Sequence, residues 1–199
     1  MMLRLDINDA DALETVSRIL LEGGVVALPT ETVYGLVTLW DNEAGRAKIY
    51  SLKRRPANKL LQMLASSVEM AEQAGGVCKH EIKVIVEKFC PGPITIVVPE
   101  RNGGSIGFRI PDNDFMLRLL RQLGKPLAAT SANLSGKPAA LNANDAVCDL
   151  EGEPDAVLDG GEISVTGGQA STVLSLLGEK PVILREGPIS LAEIEAVIR

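Results

Sequence analysis

The chain has 199 residues, with 20 Lys and Arg against 26 Asp and Glu, so its formal charge is −6. Against an average of about 150 residues per domain, this length reads as one domain over 1–199, and 46% apolar with 23% charged residues excludes a disordered chain. No apolar run reaches the ~18 residues of a membrane span, and Met1–Asp6 lacks a signal-peptide core, so a cytoplasmic protein is expected.

Apolar residues at Ile7, Ala10, Leu13, Val16, Ile19 and Leu20 recur at helical steps, which predicts a helix over 9–22 that Gly23-Gly24 stops. Val25–Leu28 is a continuous apolar run, expected as a buried strand that Pro29 ends. Residues 42–52 follow as a helix and Leu60–Leu64 as a strand. Glu81–Phe89 is a helix closed by Cys90-Pro91-Gly92-Pro93, and the β-branched Ile94–Val98 is a strand. Then come a strand at Ile106–Ile110, a helix at Phe115–Leu123 stopped by Gly124, and a strand at Leu127–Ala129. A helix at Ala143–Leu150, strands at Ala156–Leu158, Thr172–Leu176 and Val182–Leu184, and a helix at Leu191–Ile198 capped by Ser190 complete the chain. This alternation predicts an α/β protein with helices packed on a twisted sheet. Gly- and Pro-rich stretches at 101–107 and 160–170 leave room for hairpins, so the sheet is expected to be mixed.

Three widely spaced cysteines (Cys78, Cys90, Cys148) and one histidine (His80) make neither a disulfide framework nor a CxxC or multi-histidine metal site. No Ser/His/Asp set is credible, and neither a Walker A loop nor GxGxxG occurs. Four polar segments remain. Pro29-Thr30-Glu31-Thr32-Val33-Tyr34 follows a buried strand, where open α/β sheets place ligands; the same residues could simply cap and pack. Lys53-Arg54-Arg55-Pro56 ends a predicted helix, either as solvated cations that favour a helix C-terminus or as an anion clamp of point charge and planar forks. Thr130-Ser131-Ala132-Asn133-Leu134-Ser135 follows a short strand, as a capped turn or as a cradle for phosphate or ribose oxygens. Arg109 lies inside an apolar strand, where a cation needs solvent, a carboxylate or a ligand; Arg185 repeats the pattern.

In order along the chain, Pro29-Thr30-Glu31-Thr32-Val33-Tyr34-Gly35-Leu36, Lys53-x-Arg55-Pro56, Pro91-Gly92-Pro93-Ile94-Thr95, Arg109-x-Pro111, Ser131-Ala132-Asn133-x-Ser135-Gly136, Ser171-Thr172-Val173 and Arg185-Glu186-Gly187 resemble the YrdC-like family, which includes the threonylcarbamoyl-AMP synthases. The resemblance implies a twisted α/β sheet with a concave basic cleft. It also implies a nucleotidyltransferase that joins L-threonine, bicarbonate and ATP into threonylcarbamoyl-AMP and pyrophosphate. Other proteins would then carry the threonylcarbamoyl group to adenosine 37 of tRNA. By position, the threonine site falls on Thr32, Ser131 and Ser171, and the ATP site on Arg55, Lys59, Thr95, Ser131, Asn133 and Arg185. Lys53 and Arg55 take the catalytic place. Mg2+ is expected on the triphosphate, with ligands from phosphate and water rather than from a protein metal site.

Two departures stand out. The family's Asn-Pro-Leu and the histidine ending the next strand are replaced by Asn58-Lys59-Leu60-Leu61-Gln62-Met63-Leu64, with Leu64 or Met63 at the histidine position, which predicts weaker threonine binding. After Arg109-x-Pro111 the family's His-Pro is Asn113-Asp114. The alternative reading is a non-catalytic module that binds tRNA or double-stranded RNA weakly through Lys53, Arg54, Arg55 and Lys59; the acidic balance and 3% aromatics weigh against it. A third reading is the carbamoyl-transfer domain of hydrogenase maturation factors, whose zinc-finger and acylphosphatase-like segments are not expected here.

Overall fold

The computed structural model describes residues 1–163 and 170–198. Its elements run β1 (Leu3–Asp6), α1 (Ala12–Leu21), β2 (Val26–Pro29), β3 (Tyr34–Leu39), α2 (Glu43–Leu52), β4 (Gln62–Leu64), α3 (Val68–Gln73), α4 (His80–Phe89), β5 (Ile94–Pro99), β6 (Ser105–Arg109), α5 (Asp114–Leu123), β7 (Leu127–Ser131), α6 (Asp145–Cys148), β8 (Ala156–Asp159), β9 (Thr172–Ser175), β10 (Val182–Arg185) and α7 (Leu191–Val197). The strands form one mixed sheet in the order β1-β8-β2-β3-β7-β4-β6-β5-β9-β10. Among the described residues no helix is long and apolar enough to cross a membrane.

The helix signals hold because they are local. In α2 the Asn42 side chain accepts from Gly45 N at 3.0 Å. The Asn113 side chain does the same for Met116 N, and Gly124 takes the left-handed conformation (φ 61°) that ends α5. Ser190 and Glu193 close a capping box at α7. The 143–150 helix is shorter than expected, only Asp145–Cys148, because the Asn142 side chain turns the preceding residues into a cap.

Three elements escaped the sequence pattern. β1 is a mostly exposed edge strand that pairs with β8 alone among the described strands, so little of its own pattern marks it. α3 is too short for a period to emerge. β3 is the consequential one: Tyr34–Leu39 is buried on both faces and shows no alternation, so the stretch after Pro29 reads as a turn. In the structure only Thr30–Val33 turn, and β2 and β3 make an antiparallel hairpin from Pro29↔Tyr34 to Val26↔Val37. The 101–107 hairpin joins β5 to β6 through Gly103 and Gly104, both at positive φ. The one expected at 160–170 falls largely outside the described residues.

Register sorts the sheet into two faces. Ala128, Met63, Phe108, Ile96 and Leu174 pair in one row from β7 to β9, and all are fully buried. This face packs on α3, α4 and α7 around β4, β5, β6 and β9, and on α2 and α6 around β2, β3 and β8. Each of the larger side chains contributes roughly 1.5–3 kcal/mol of hydrophobic stabilisation. On the opposite face α1 and α5 cover Leu28, Val37, Leu64, Leu127 and Ala129. Beyond them, Val97, Gly107 and Val173 on β5, β6 and β9 are only half-buried. That uncovered stretch of sheet is the floor of a cleft.

Candidate active site

The cleft encloses about 450 Å³ and is lined from β3, β7, β4, β6, β5 and β9, with the β2–β3 turn and the 55–62 segment at its edges. Period-2 alternation places alternate residues there: Gly35 and Val37, Ala129 and Ser131, Gln62 and Leu64, Ser105, Gly107 and Arg109, Thr95 and Val97. Gly107 keeps the floor low, since a Cβ there would stand 3.4 Å from Thr95 Cγ2 and 3.6 Å from Val97 Cγ2.

Two hydrogen-bond relays run along the walls, each headed by an arginine. In the first, Arg109 Nη1 donates to Thr32 Oγ1 at 3.1 Å. Thr30 spends its one hydroxyl hydrogen on Val33 O (2.7 Å), so Thr32 donates to Thr30 Oγ1 at 3.0 Å. In the second, Arg185 Nη2 donates to Ser171 Oγ at 3.1 Å, and Arg185 also holds Ser171 O through Nε (3.1 Å) and Nη2 (2.8 Å). Thr95 gives its hydrogen to Gln62 Oε1 (3.0 Å), so Ser171 donates to Thr95 Oγ1 at 3.0 Å. Thr32, Thr95 and Ser171 are thereby held in fixed donor–acceptor directions on one cleft. Burial pushes the Arg109 and Arg185 guanidinium groups below the ordinary arginine value, and Glu31 pulls Arg109 back up.

The basic run at 53–59 does not act as a unit. Arg55 lines the cleft, half-buried, with Nε on Lys59 O (2.8 Å) and Nη2 on Leu60 O (2.7 Å). Burial lowers its pKa as well. Arg54 pairs with Glu151 at 2.7 Å on the surface. Lys59 is exposed and is absent from the cleft wall. Lys53 lies farthest from the place expected of it. Its side chain is buried, and Nζ donates to the carbonyl oxygens of Ser131 and Asn133 and to Asn133 Oδ1. The ammonium lies behind the wall that carries Ser131 and does not line the cleft. Burial, and then the neighbouring Arg55, push its pKa down to about 8.

Asn133 is likewise part of the wall's support. Its Nδ2 donates to Leu134 O (2.9 Å) and Lys137 O (2.8 Å), which folds the loop back on itself. Of the residues expected from the sequence, the structure therefore brings Thr32, Arg55, Thr95, Ser131, Ser171 and Arg185 onto one cleft, and leaves Lys53, Lys59 and Asn133 off it. The residues missed are Thr30, Gln62 and Arg109. Arg109 carried a signal, a cation within an apolar strand, and Thr30 lay in the polar segment after a buried strand; Gln62 carried none. Of the two residues expected at the family's histidine position, Leu64 lines the cleft, whereas Met63 faces the core on the other side of the sheet. No lining residue is Asp or Glu, and among the described residues no three His, Cys, Asp or Glu side chains gather as a metal site.

A model of the Sua5/YciO/YrdC proteins, described as telomere recombination, matches residues 18–187. A threonylcarbamoyl-AMP synthase of Bacillus subtilis is 36% identical over 98% of the chain and 58% of its own length. One of Pyrococcus abyssi is 37% identical over 89% of the chain and 54% of its own. The chain thus spans little more than half the length of these relatives. A crystal structure of P. abyssi Sua5 complexed with L-threonine superposes with a TM-score of 0.89 at 32% identity, covering 100% of the chain and 61% of that protein.

Proposed function

The chain belongs to the Sua5/YciO/YrdC family, and from that premise we propose that its cleft joins L-threonine, bicarbonate and ATP into threonylcarbamoyl-AMP and pyrophosphate. The observation that carries the reading is the pair of arginine-headed hydroxyl relays on one cleft, with Arg55 beside them. Residues 1–199 would act as one YrdC-like domain in the cytoplasm. Thr32, Ser131 and Ser171 would hold threonine, with Arg109 supplying the cation for its carboxylate. Arg55, Thr95, Ser131 and Arg185 would hold the nucleotide, and Lys59 could meet phosphate only from outside the cleft. Lys53 and Asn133 would serve through the position of Ser131.

The chemistry suits this equipment. Threonine's amine and bicarbonate give a carbamate and water. A carbamate oxygen then bonds to the α-phosphorus while the bond to the pyrophosphate oxygen breaks. No side-chain nucleophile is needed, so fixed charges and orientation supply the catalysis. A divalent ion such as Mg2+ would travel on the triphosphate and draw its ligands from phosphate and water. The product is a mixed anhydride, suited to acyl transfer by separate tRNA-modifying proteins. Direct tRNA or double-stranded RNA binding is not favoured, because Lys53 is buried on backbone carbonyl groups, Arg54 pairs with Glu151 and Arg55 braces the cleft edge.

Mass spectrometry of the product from ATP, bicarbonate and each of several amino acids tests the reading. A threonylcarbamoyl adenylate is the expected species, and adenylate formation with no amino acid overturns it. Leu64 adds a finer expectation. It places an apolar side chain where a polar one would meet the substrate hydroxyl, and one such lost hydrogen bond is worth about 0.5–1.5 kcal/mol. Leu64→His is therefore expected to tighten threonine over valine by roughly 3- to 10-fold. Calorimetric titration with threonine, serine and valine checks it, and an unchanged threonine-to-valine ratio sinks the idea.

A further inference from the structure

Glu31 sits at the tip of the β2–β3 turn, between Thr30 and Thr32, which both line the cleft. Its side chain is only 15% exposed, and among the described residues neither carboxylate oxygen has a hydrogen-bond partner. Arg109 lies beside it, 4% exposed, with Nη1 3.7 Å from Glu31 Oε1 and with Nε also unpartnered. Buried carboxylates normally accept several hydrogen bonds. Here the charges are neighbours, yet the pair has not closed into the two-bond fork that Arg and carboxylate usually adopt.

The surroundings make Glu31 the countercharge of Arg109. Arg185 adds positive potential on the same guanidinium, and the Cys90 thiol nearby is neutral, pushed up to about 12 chiefly by burial. A buried guanidinium with no anion close by would be costly. One held in a closed fork would have to be freed before binding anything else. The 3.7 Å spacing avoids both, because Coulomb attraction acts without consuming N–H donors, while Thr32 uses one donor to fix the direction.

We propose that Glu31 is a positioning residue that holds Arg109 on the cleft wall as an open carboxylate receptor, and so governs the site's preference for an amino acid with a free α-carboxylate. The inference rests on the threonine reading above. It assigns Glu31 no contact with the reacting atoms; its effect passes through Arg109.

Calorimetry at pH 7 with L-threonine and with L-threoninamide, which lacks the carboxylate charge, tests it in the intact chain. The natural protein is expected to prefer threonine. Glu31→Gln, nearly identical in shape, is expected to cut that preference at least tenfold while ATP affinity stays within twofold. A preference in Glu31→Gln equal to the natural protein's overturns this inference alone. A natural protein that binds threonine no better than threoninamide overturns the threonine reading and this inference with it. If Glu31→Gln does not fold, Glu31→Asp keeps the charge but withdraws it by one methylene. Its preference should fall severalfold, and no change there is equally fatal.

Discussion

Replacing Lys53 with methionine is expected to lower adenylate formation by about 100-fold, although the ammonium never reaches the cleft, because a displacement of about 1 Å in a site wall can cost that much. Lys53 ties the end of α2 to the carbonyl oxygens of Ser131 and Asn133, 78 and 80 residues away. Methionine fills the same space and leaves those acceptors unpaired, at about 1–3 kcal/mol each. It also removes the cost of burying a charge, so the melting temperature should move less than the rate. The pH dependence separates the two. The Lys53 pKa is pushed down to about 8 in the folded chain from an ordinary value of 10.5. The protonated strut is therefore intact below pH 8 and lost above it, and the ratio of natural to Lys53→Met rates should fall as pH rises through about 8. Stability from this group runs the other way. Between about 8 and 10.5 the unfolded chain binds the proton more tightly, so Lys53 makes stability rise with pH over that window. Activity lost without melting temperature lost identifies a local change at 131–133. A rate ratio flat with pH would show that the strut does not support the site.

Arg55→Ala should weaken ATP by roughly 10- to 10,000-fold, since one or two charge-assisted hydrogen bonds at about 1.5–3 kcal/mol each are lost with the guanidinium. Two of its nitrogens already hold Lys59 O and Leu60 O, so the substitution also loosens the 55–60 edge of the cleft. Both of those residues are exposed, and their carbonyl groups can turn to water, which keeps the stability cost small. Calorimetric ATP titration of a folded Arg55→Ala protein checks the expectation; unchanged affinity removes Arg55 from the nucleotide site. Arg55→Lys should recover little, because a point charge cannot brace two carbonyl groups and face a phosphate at once.

Among the elements, those legible in the sequence are the ones whose signals are short-range. Asn113 and Gly124 bound α5 through contacts within four residues, and the β-branched composition of Ile94–Val98 is a property of that strand alone. β3 was illegible because burial on both faces erases alternation, and that burial comes from β2, β7 and helices far along the chain. The motif order marked where the site lies for the same reason: Thr32, Thr95, Ser131, Ser171 and Arg185 stand at or near strand ends, and Arg55 just past a helix end, that local pattern already located.

The amino-acid sequence by itself determined the α/β class, the longer helices and the set of hydroxyls and cations from which a site could be built. Tertiary structure alone decided which of them share a wall and which way each points. Lys53 and Arg55 are two residues apart with opposite outcomes, because carbonyl groups 78 and 80 residues away take up one cation and leave the other at the cleft. Met63 and Leu64 are adjacent, and only the pairing of β4 between β7 and β6 sets which of them faces the cleft. Arg109 gains its meaning from Thr32 and Glu31 on a turn that β-sheet pairing brings across the chain. Direction depends on partners distant in sequence, and period and composition carry no record of those partners.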